Sequence, residues 1–546
     1  MSSASDQVAF AESVEDQSNV NLFQAKKWTY VTDSTSNGGQ FSGQLQFDLN
    51  TLSSQNQWTD LSQGYIQFPV KASIASGGTA LASSVNLNTA AVFKNFVNFI
   101  DSIQVVIGGT TTESSQIFQN INSTFKILSE WSADELQKYG PSLGISLDDY
   151  LVPADSVTAA ASSLDNAAPT TTVGGFAMNS SITNPALKER LQMFNSTVAA
   201  TPATLANSIL GTNHPVLAKS QVQINSAATS GDMFVLYALA TVRLKDISDS
   251  IAKMPLMKGL KGFIYVNYNS SSTTITNANS ASAITAISNS SIYGRCAPGM
   301  VNTSAIVLNA TTGSTITFKA EVSGLASTNL TTATPITTSA RLVVPYYTGT
   351  PEIDRALSTK KTVRYNERFV TQFSMTAGQN YNATLSPGIS NPKRVILYPY
   401  FTSGNTQNTT FIDNPLLSSI DSVPSTTSPF ASIKDLQIYV GNLPMYQSPI
   451  SYDYDTYLNE TAQQGLDGGL VSQTGSGLLN QRSWNQLYRY YTCDIGRRMN
   501  SEDGCSKSVQ VSCTNATTCS MNVIAIIWYE RVITVDTASG YVTQSM

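Results

Sequence analysis

The feature that most constrains how this chain can fold is a strand plan that occurs twice, in the same order and at low identity. Ile103-Gln-Val-Val-Ile-Gly-Gly109 has a counterpart in Leu436-Gln-Ile-Tyr-Val-Gly-Asn442. Apolar and polar residues alternate in both, as in half-buried strands, and a turn-forming glycine follows. Leu236-Tyr-Ala-Leu-Ala-Thr-Val-Arg243 pairs likewise with Leu487-Tyr-Arg-Tyr-Tyr-Thr-Cys-Asp494, and Phe41-Ser-Gly-Gln-Leu-Gln-Phe47 with Phe369-Val-Thr-Gln-Phe-Ser-Met375. Arg341-Leu-Val-Val-Pro-Tyr-Tyr347 pairs with Val523-Ile-Ala-Ile-Ile-Trp-Tyr529. The offset falls from about 330 residues for the early strands to about 180 for the last, so the first copy carries the longer loops.

With 546 residues the chain exceeds the size at which one core stops growing, which makes two domains the natural expectation. Hydrophobic residues at 41% can fill such cores, but charged residues are only 12%, about half the usual ~25%. A surface so poor in charge suits a protein covered by neighbours. The net charge is −5 and no Lys/Arg block exceeds two adjacent residues, which argues against a basic arm for nucleic acid. Met1–Gln24 is acidic and polar and does not resemble a signal peptide. No run approaches the ~18 apolar residues of a membrane span. The expectation is a soluble protein made inside the cell.

Along the chain, strand patterns at 27–32, 43–49, 65–70 and 91–109 precede a change of period. Ile117, Ile121, Phe125, Leu128, Trp131 and Leu136 recur at helical spacing, and Ser132-Ala-Asp-Glu135 resembles a capping box, which predicts one or two helices. Residues 139–218 read as long loops. Strands are predicted again at 221–225, 233–244, 262–269, 304–308 and 314–322, with a short helix at 245–253. Thr348-Gly-Thr-Pro351 and Ser358–Lys361 mark the expected domain boundary. Strands then follow at 368–375, 393–401, 433–442, 488–495, 507–513 and 522–535. Short strands with turn-rich links predict a sandwich or jelly roll in each copy.

No chemistry stands out. The single histidine, His214, precedes Pro215 and offers no base for a triad. Asp453 and Asp455 could contribute to a hard-cation site, although an exposed strand or turn explains them as well. Gly465-Leu-Asp-Gly-Gly469 and Gly475-Ser-Gly477 lack the following Lys-Ser/Thr of a phosphate loop. Cys296, Cys493, Cys505, Cys513 and Cys519 lack zinc spacing. Cys513 and Cys519 flank a candidate hairpin tip and are read either as free buried thiols or as a disulfide. Asn122, Asn195, Asn302, Asn382 and Asn515 begin sequons that arise from composition. Arg489, Arg497 and Arg498 are read as strand-end charges, or as a grip for a neighbour's carboxylate. We assign no catalytic, cofactor or metal residue.

Several segments carry a family likeness in the first copy. These are Ser102–Gly109, Val242-Arg-Leu-Lys-Asp-Ile247, Met254-Pro-Leu-Met-Lys-Gly259, Phe263-Ile-Tyr-Val266 and Arg341–Leu357. In the second they are Tyr365-Asn-Glu-Arg-Phe-Val-Thr-Gln-Phe373, Asn391-Pro-Lys-Arg-Val-Ile-Leu397, Tyr488–Arg498 and Ile527-Trp-Tyr-Glu-Arg-Val532. In order and spacing they resemble the double jelly-roll major capsid proteins of double-stranded DNA viruses, of the polinton-like virus and virophage type, and more faintly those of large nucleocytoplasmic DNA viruses. No single motif is diagnostic, and the loops at 110–232 and 270–340 do not map.

The resemblance implies a mainly β chain of two consecutive jelly-roll barrels with short helices. It would comprise an N-terminal arm at 1–26, a first barrel at 27–358 with insertions at about 110–232 and 270–340, a second barrel at 359–535 and a tail at 536–546. It further implies homotrimers forming pseudo-hexagonal capsomers of an icosahedral virion, which meet neighbouring capsomers and penton, minor capsid or cement proteins. Arm and tail would order on assembly. The rival readings are a secreted or cell-surface glycan-binding β-sandwich and a glycoside-processing β enzyme.

Overall fold

The computed structural model describes residues 23–53, 57–77, 91–148, isolated residues between 172 and 190, then 220–225, 229–277, 284–291, 295–301, 314–331, 333–402, 416, 431–462, 477–496 and 504–544. In the first half the strands are β1 (Phe23–Thr32), β2 (Gln44–Asp48), β3 (Trp58–Thr59), β4 (Tyr65–Gly77), β5 (Ala91–Phe93), β6 (Ile100–Ile107) and β7 (Thr110–Glu113). They continue as β8 (Thr172–Val173), β9 (Phe176–Ala177), β10 (Ser220–Ile224), β11 (Ser230–Arg243), β12 (Gly262–Tyr268), β13 (Ser271–Asn277) and β14 (Ile284–Ser291). β15 (Gly299–Val301), β16 (Ser314–Val322) and β17 (Arg341–Gly349) complete the half. The second half holds β18 (Lys360–Met375), β19 (Asn380–Ser390), β20 (Pro392–Phe401), β21 (Ile433–Val440), β22 (Leu443–Pro444), β23 (Tyr491–Asp494), β24 (Ser506–Asn515), β25 (Met521–Asp536) and β26 (Val542–Gln544).

The pairing order is the same in both halves. In the first, β1-β17-β4-β11 form one sheet and β2-β12-β6-β7 the other. In the second, β18-β25-β20-β23 face β19-β24-β21-β22. Numbered by rank within each half, both are 1-8-3-6 against 2-7-4-5, the strand order of a jelly roll. Among the described strands, none of one half pairs with one of the other. The alternation expected at 262–269 is present: Ile264, Val266 and Tyr268 are buried, while Phe263 and Tyr265 stack outside with ring centroids 5.8 Å apart. Val523 to Ile527 are all buried, in a strand flanked on both edges by β18 and β20.

The topology corrects one of the four repeat pairs. Phe41–Phe47 leads into β2, the second strand of its barrel, whereas Phe369–Met375 belongs to β18, the first strand of its own. The counterpart of β2 is β19, and that of β18 is β1. The other three pairs match strands of equal rank: β6 with β21, β11 with β23, and β17 with β25.

Part of the first copy's added length extends one sheet. β4 and β11 run on beyond the barrel in antiparallel register from Tyr65–Arg243 to Gly77–Ser230. β16, β13 and β14 add to the extended edge of β4, and β10 to that of β11. The predicted helices appear as α2 (Gln119–Glu130) and α3 (Ala133–Leu143), preceded in the chain by the short α1 (Asn50–Ser53). Ser132 caps α3 by accepting from the Glu135 amide at 3.2 Å. The helix expected at 245–253 is broken by Ser248 into α4 (Leu244–Ile247) and α5 (Asp249–Lys253). α6 (Pro351–Leu357), with proline in its first turn and Thr350 as its cap, links the halves. The helices α7 (Tyr454–Ala462) and α8 (Gln481–Gln486) lie in the second half. The strand expected at 304–308 and the arm up to residue 22 lie outside the described residues.

The tail expected at 536–546 to order on assembly is instead tied down as far as residue 544. β26 pairs with β25, the Lys258 amide donates to Thr537 O at 2.8 Å, and Thr110 Oγ1 donates to Val542 O at 2.7 Å. The turn at Gly540 has φ +71°, and a Cβ there would sit 1.8 Å from the Gly259 carbonyl oxygen. We predict that Gly540→Ala lowers stability by at least about 2 kcal/mol in denaturant melts. Gly378→Ala, also at positive φ but facing open space, should cost only about 1 kcal/mol.

Candidate assembly unit: the junction of the two barrels

β18 and β25 pair over 16 residues without a register shift, from Lys360–Asp536 to Met375–Met521. One end of this ribbon carries Phe373, Met375, Val523 and Ile526 into the second core. The other carries Val363, Tyr365, Ile533 and Val535 into the first core, joined there by Val542. The first half reciprocates through α2, whose Phe118 flank and Ile121, Phe125 and Leu128 belong to the second core. Phe125 meets Trp528 and Tyr490 edge-on at 5.8 and 5.3 Å. Each barrel therefore completes its interior with residues from the other.

Between the two cores lies a buried polar layer. Glu367 accepts from Ser114 N and Oγ at 2.9 and 2.6 Å, from Tyr529 Oη at 2.8 Å and from Arg531 at 2.5 Å. Burial alone would raise its pKa, but these donors outweigh burial and hold it below the usual carboxylate value. Arg368 Nη2 donates to Gln116 O at 2.8 Å and Tyr365 Oη to Thr112 O, and at the exposed rim of the layer Asn366 N donates to Asp249 at 2.7 Å. Trp528 Nε1 donates to Asn122 Oδ1 at 2.8 Å. Glu113 accepts from the Ser248 hydroxyl, with Ser250 at 3.4 Å. Burial pushes the Glu113 carboxyl up to about 7 against the pull of Arg368 and Ser248, and Asp249 and Glu367 reinforce the rise.

Several of the residues singled out in the sequence serve the fold. Asp453 accepts from the amide and hydroxyl of Thr456 at 2.8 and 2.6 Å and so caps α7, while Asp455 is exposed in its first turn. The strand or turn expected there is a helix start. Arg489 is not a solvent charge: its guanidinium bonds Ser432 and the Asn485 carbonyl and stacks on Trp484 at 5.7 Å. Asn122 and Asn515 are buried with bonded side chains, and Asn382 is exposed on β19. All five cysteines are free thiols. Cys513 and Cys519 do not flank a hairpin tip, because β24 and β25 belong to opposite sheets; Cys513 packs on Met375 at 3.9 Å. His214, Arg497, Arg498, Asn195, Asn302 and 465–476 lie outside the described residues. No cluster of metal-binding side chains occurs among the described residues.

No local pattern in the chain marks the outer face of β1, an edge strand. Trp28 and Tyr30 are half exposed there; Lys26 lies over Trp28 at 5.3 Å and Arg341 over Tyr30 at 5.0 Å. Beside it an open groove of about 760 Å³ runs to Tyr139, with Arg243 stacked between Trp131 and Tyr139 and bonded to Glu135 and Asp246.

The junction has a definite pH signature. The folded chain holds a proton on Glu113 that an unfolded glutamate, with its ordinary value of 4.5, has released. That contribution is complete below about pH 4.5 and lost as pH rises through 7, on the order of 3 kcal/mol in all. Glu113→Gln should melt with the wild type at pH 5 and above it at pH 8. A wild type that equals or exceeds the variant at pH 8 would contradict the assignment.

No protein-family model matches the sequence, and no curated protein sequence matches it. Among solved structures, the mavirus major capsid protein superposes with a TM-score of 0.51 at 10% identity, covering 97% of this chain and 92% of that one. A chain of the Sputnik virophage cryo-EM structure gives 0.48 at 12% identity, covering 96% and 89%. The Faustovirus major capsid protein gives 0.39 at 10% identity, covering 94% and 92%. At such identities the mavirus likeness speaks to architecture, and it agrees with the strand order read twice from the pairing. From β1 to β25 this chain has the double jelly-roll fold of viral major capsid proteins.

Proposed function

We propose that this chain is the major capsid protein of an icosahedral double-stranded DNA virus. Three copies associate into a pseudo-hexagonal capsomer of six barrels, and capsomers tile the shell. The observation that carries this reading is the junction: a shared ribbon, exchanged core residues and a buried polar layer make the two barrels one brick. A pseudo-hexagonal outline needs that rigidity, because six barrels from three chains approximate a hexagon only at a fixed angle within each chain. The charge-poor composition and the exposed aromatic edge of β1 suit a chain whose sides are covered by other copies.

In this reading the chain acts by assembly and needs no catalysis or cofactor. Its partners are its own copies, neighbouring capsomers and penton, minor capsid or cement proteins, and it makes no sequence-specific contact with nucleic acid. It is made in the host cell interior and resides in the virion shell. The extended sheet of β4, β11, β16, β13 and β14 would supply a tower on the capsomer. A glycan-binding sandwich is not favoured, since that role gives no reason to fuse two barrels through one ribbon.

Light scattering tests the proposal. We expect a native mass near three times the 58.5 kDa chain, about 175 kDa, with pseudo-hexagonal outlines in negative stain. A strict monomer at micromolar concentration would overturn the capsomer reading.

A further inference from the structure

β1 is paired on one edge only. It follows β17 from Phe23 to Thr32, and no described strand pairs with its other edge, so alternate N–H and C=O groups along it point outward. Lys26, Trp28 and Tyr30 share the outer face of the strand, and Arg341, paired with Thr32, continues that face onto β17. Trp28 is 51% and Tyr30 58% exposed. Lys26 donates to Gln63 Oε1 at 3.0 Å and lies over Trp28 and Tyr347, both at 5.3 Å. Arg341 lies over Tyr30 at 5.0 Å, and Lys27 is exposed on the other face of the same edge. Among the described residues none of these three cations forms an ion pair.

A long exposed edge with aromatic side chains is a template for another strand, and the charges decide which one. A second β1 would set lysines against lysines, and like charges across a strand pair repel. An acidic strand fits. Residues 1–22 lead directly into Phe23, and they carry Asp6, Glu12, Glu15 and Asp16 but no Lys or Arg. Val8, Phe10, Glu12, Val14 and Asp16 stand at every second position, so an extended chain puts them on one face. That row offers apolar residues to Trp28 and Tyr30 and carboxylates to Lys26 and Arg341. Extended, residues 8–16 reach about 30 Å, nearly the length of β1. Between them and β1 lies Gln17-Ser-Asn-Val-Asn21, in which Ser18, Asn19 and Asn21 favour a turn. Attachment to β1 also holds this segment at an effective concentration on the order of millimolar, which favours it over the arm of another copy.

We propose that residues 8–16 fold back on β1 as an antiparallel strand of the same chain, closing its open edge and covering its basic aromatic face. Copies that cover this side of the molecule then meet the arm and not bare β1.

Hydrogen exchange on the intact protein, read by mass spectrometry, tests the docking. Amides within 8–16 should exchange on the order of tenfold or more slower than in a free peptide of the same sequence. Lys26→Glu with Lys27→Glu, at two exposed side chains, should abolish that protection. Adding Glu12→Lys, Glu15→Lys and Asp16→Lys to that pair should restore it. An arm that exchanges at the free-peptide rate, or protection that the charge reversal leaves unmoved, would overturn the proposal. Carbodiimide coupling then shows whose arm is docked. The expected product joins Lys26 or Lys27 to a carboxylate of the arm as a loop inside one peptide. The same peptide coupled only to a second copy of itself would assign the edge to a neighbour's arm and overturn the proposal. Both readouts apply to a monomer as to a trimer, so their failure is distinct from failure of the capsomer reading.

Discussion

A single antiparallel ribbon, β18 against β25, passes through both hydrophobic cores, and the arrangement of the molecule depends on it. Sixteen residues of strand span roughly 50 Å, longer than one barrel needs. The excess length carries Val363, Tyr365, Ile533 and Val535 into the neighbouring barrel. Where the ribbon leaves one core and enters the other, its side chains turn polar, and Glu367 and Arg368 occupy that crossing. Glu367 is held there by four donors, whereas buried Arg368 is bonded through Nη2 alone and its Nε and Nη1 make no hydrogen bond. The layer adds geometric definition more than cohesion, since its bonds are satisfied only in one relative placement of the barrels.

The falling offset between the copies now has a structural cause. Up to β6 and β21 the two barrels keep step, and the loss comes afterwards. Between β7 and β11 the first copy inserts α2, α3 and the segment that contains Arg190; between β12 and β17 it inserts β13 to β16. Two kinds of insertion serve two ends. The strands lengthen one sheet past the barrel, whereas α2 turns inward and fills the second core. Loop insertions are usually peripheral, but here one has become part of the junction.

Much of this architecture was legible in the chain because strand alternation and helical period are local signals. The helix pair at 119–143 and the cap at Ser132 followed from spacing alone, as did the strands of equal rank at Ile103, Leu236 and Arg341. The misplaced pair at Phe41 has a clear origin. Its true counterpart, β19, reads Asn-Tyr-Asn-Ala-Thr-Leu-Ser-Pro-Gly-Ile-Ser, polar, interrupted by Pro387-Gly388 and bulged against β24, so no periodic pattern marks it. β13 was hidden in the same way by its run of Ser and Thr. Contacts across the junction could not be read, because Ser114 and Glu367, or Asn122 and Trp528, are hundreds of residues apart and nothing local announces them. The supposed hairpin at Cys513 failed for the converse reason: adjacent strands in sequence were assigned to one sheet, whereas a jelly roll sends them to opposite ones.

The exchange of core residues also constrains biosynthesis. The first barrel is translated first, yet its interior includes Ile533, Val535 and Val542. Its hydrophobic interior therefore stays open to solvent until chain beyond residue 530 has left the ribosome. The second barrel waits only for its own strands, because α2 has already emerged. Its own last strand, however, is that same β25, so the two barrels of a nascent chain close together, and any holdase that protects it must act on both halves until the shared strand has emerged.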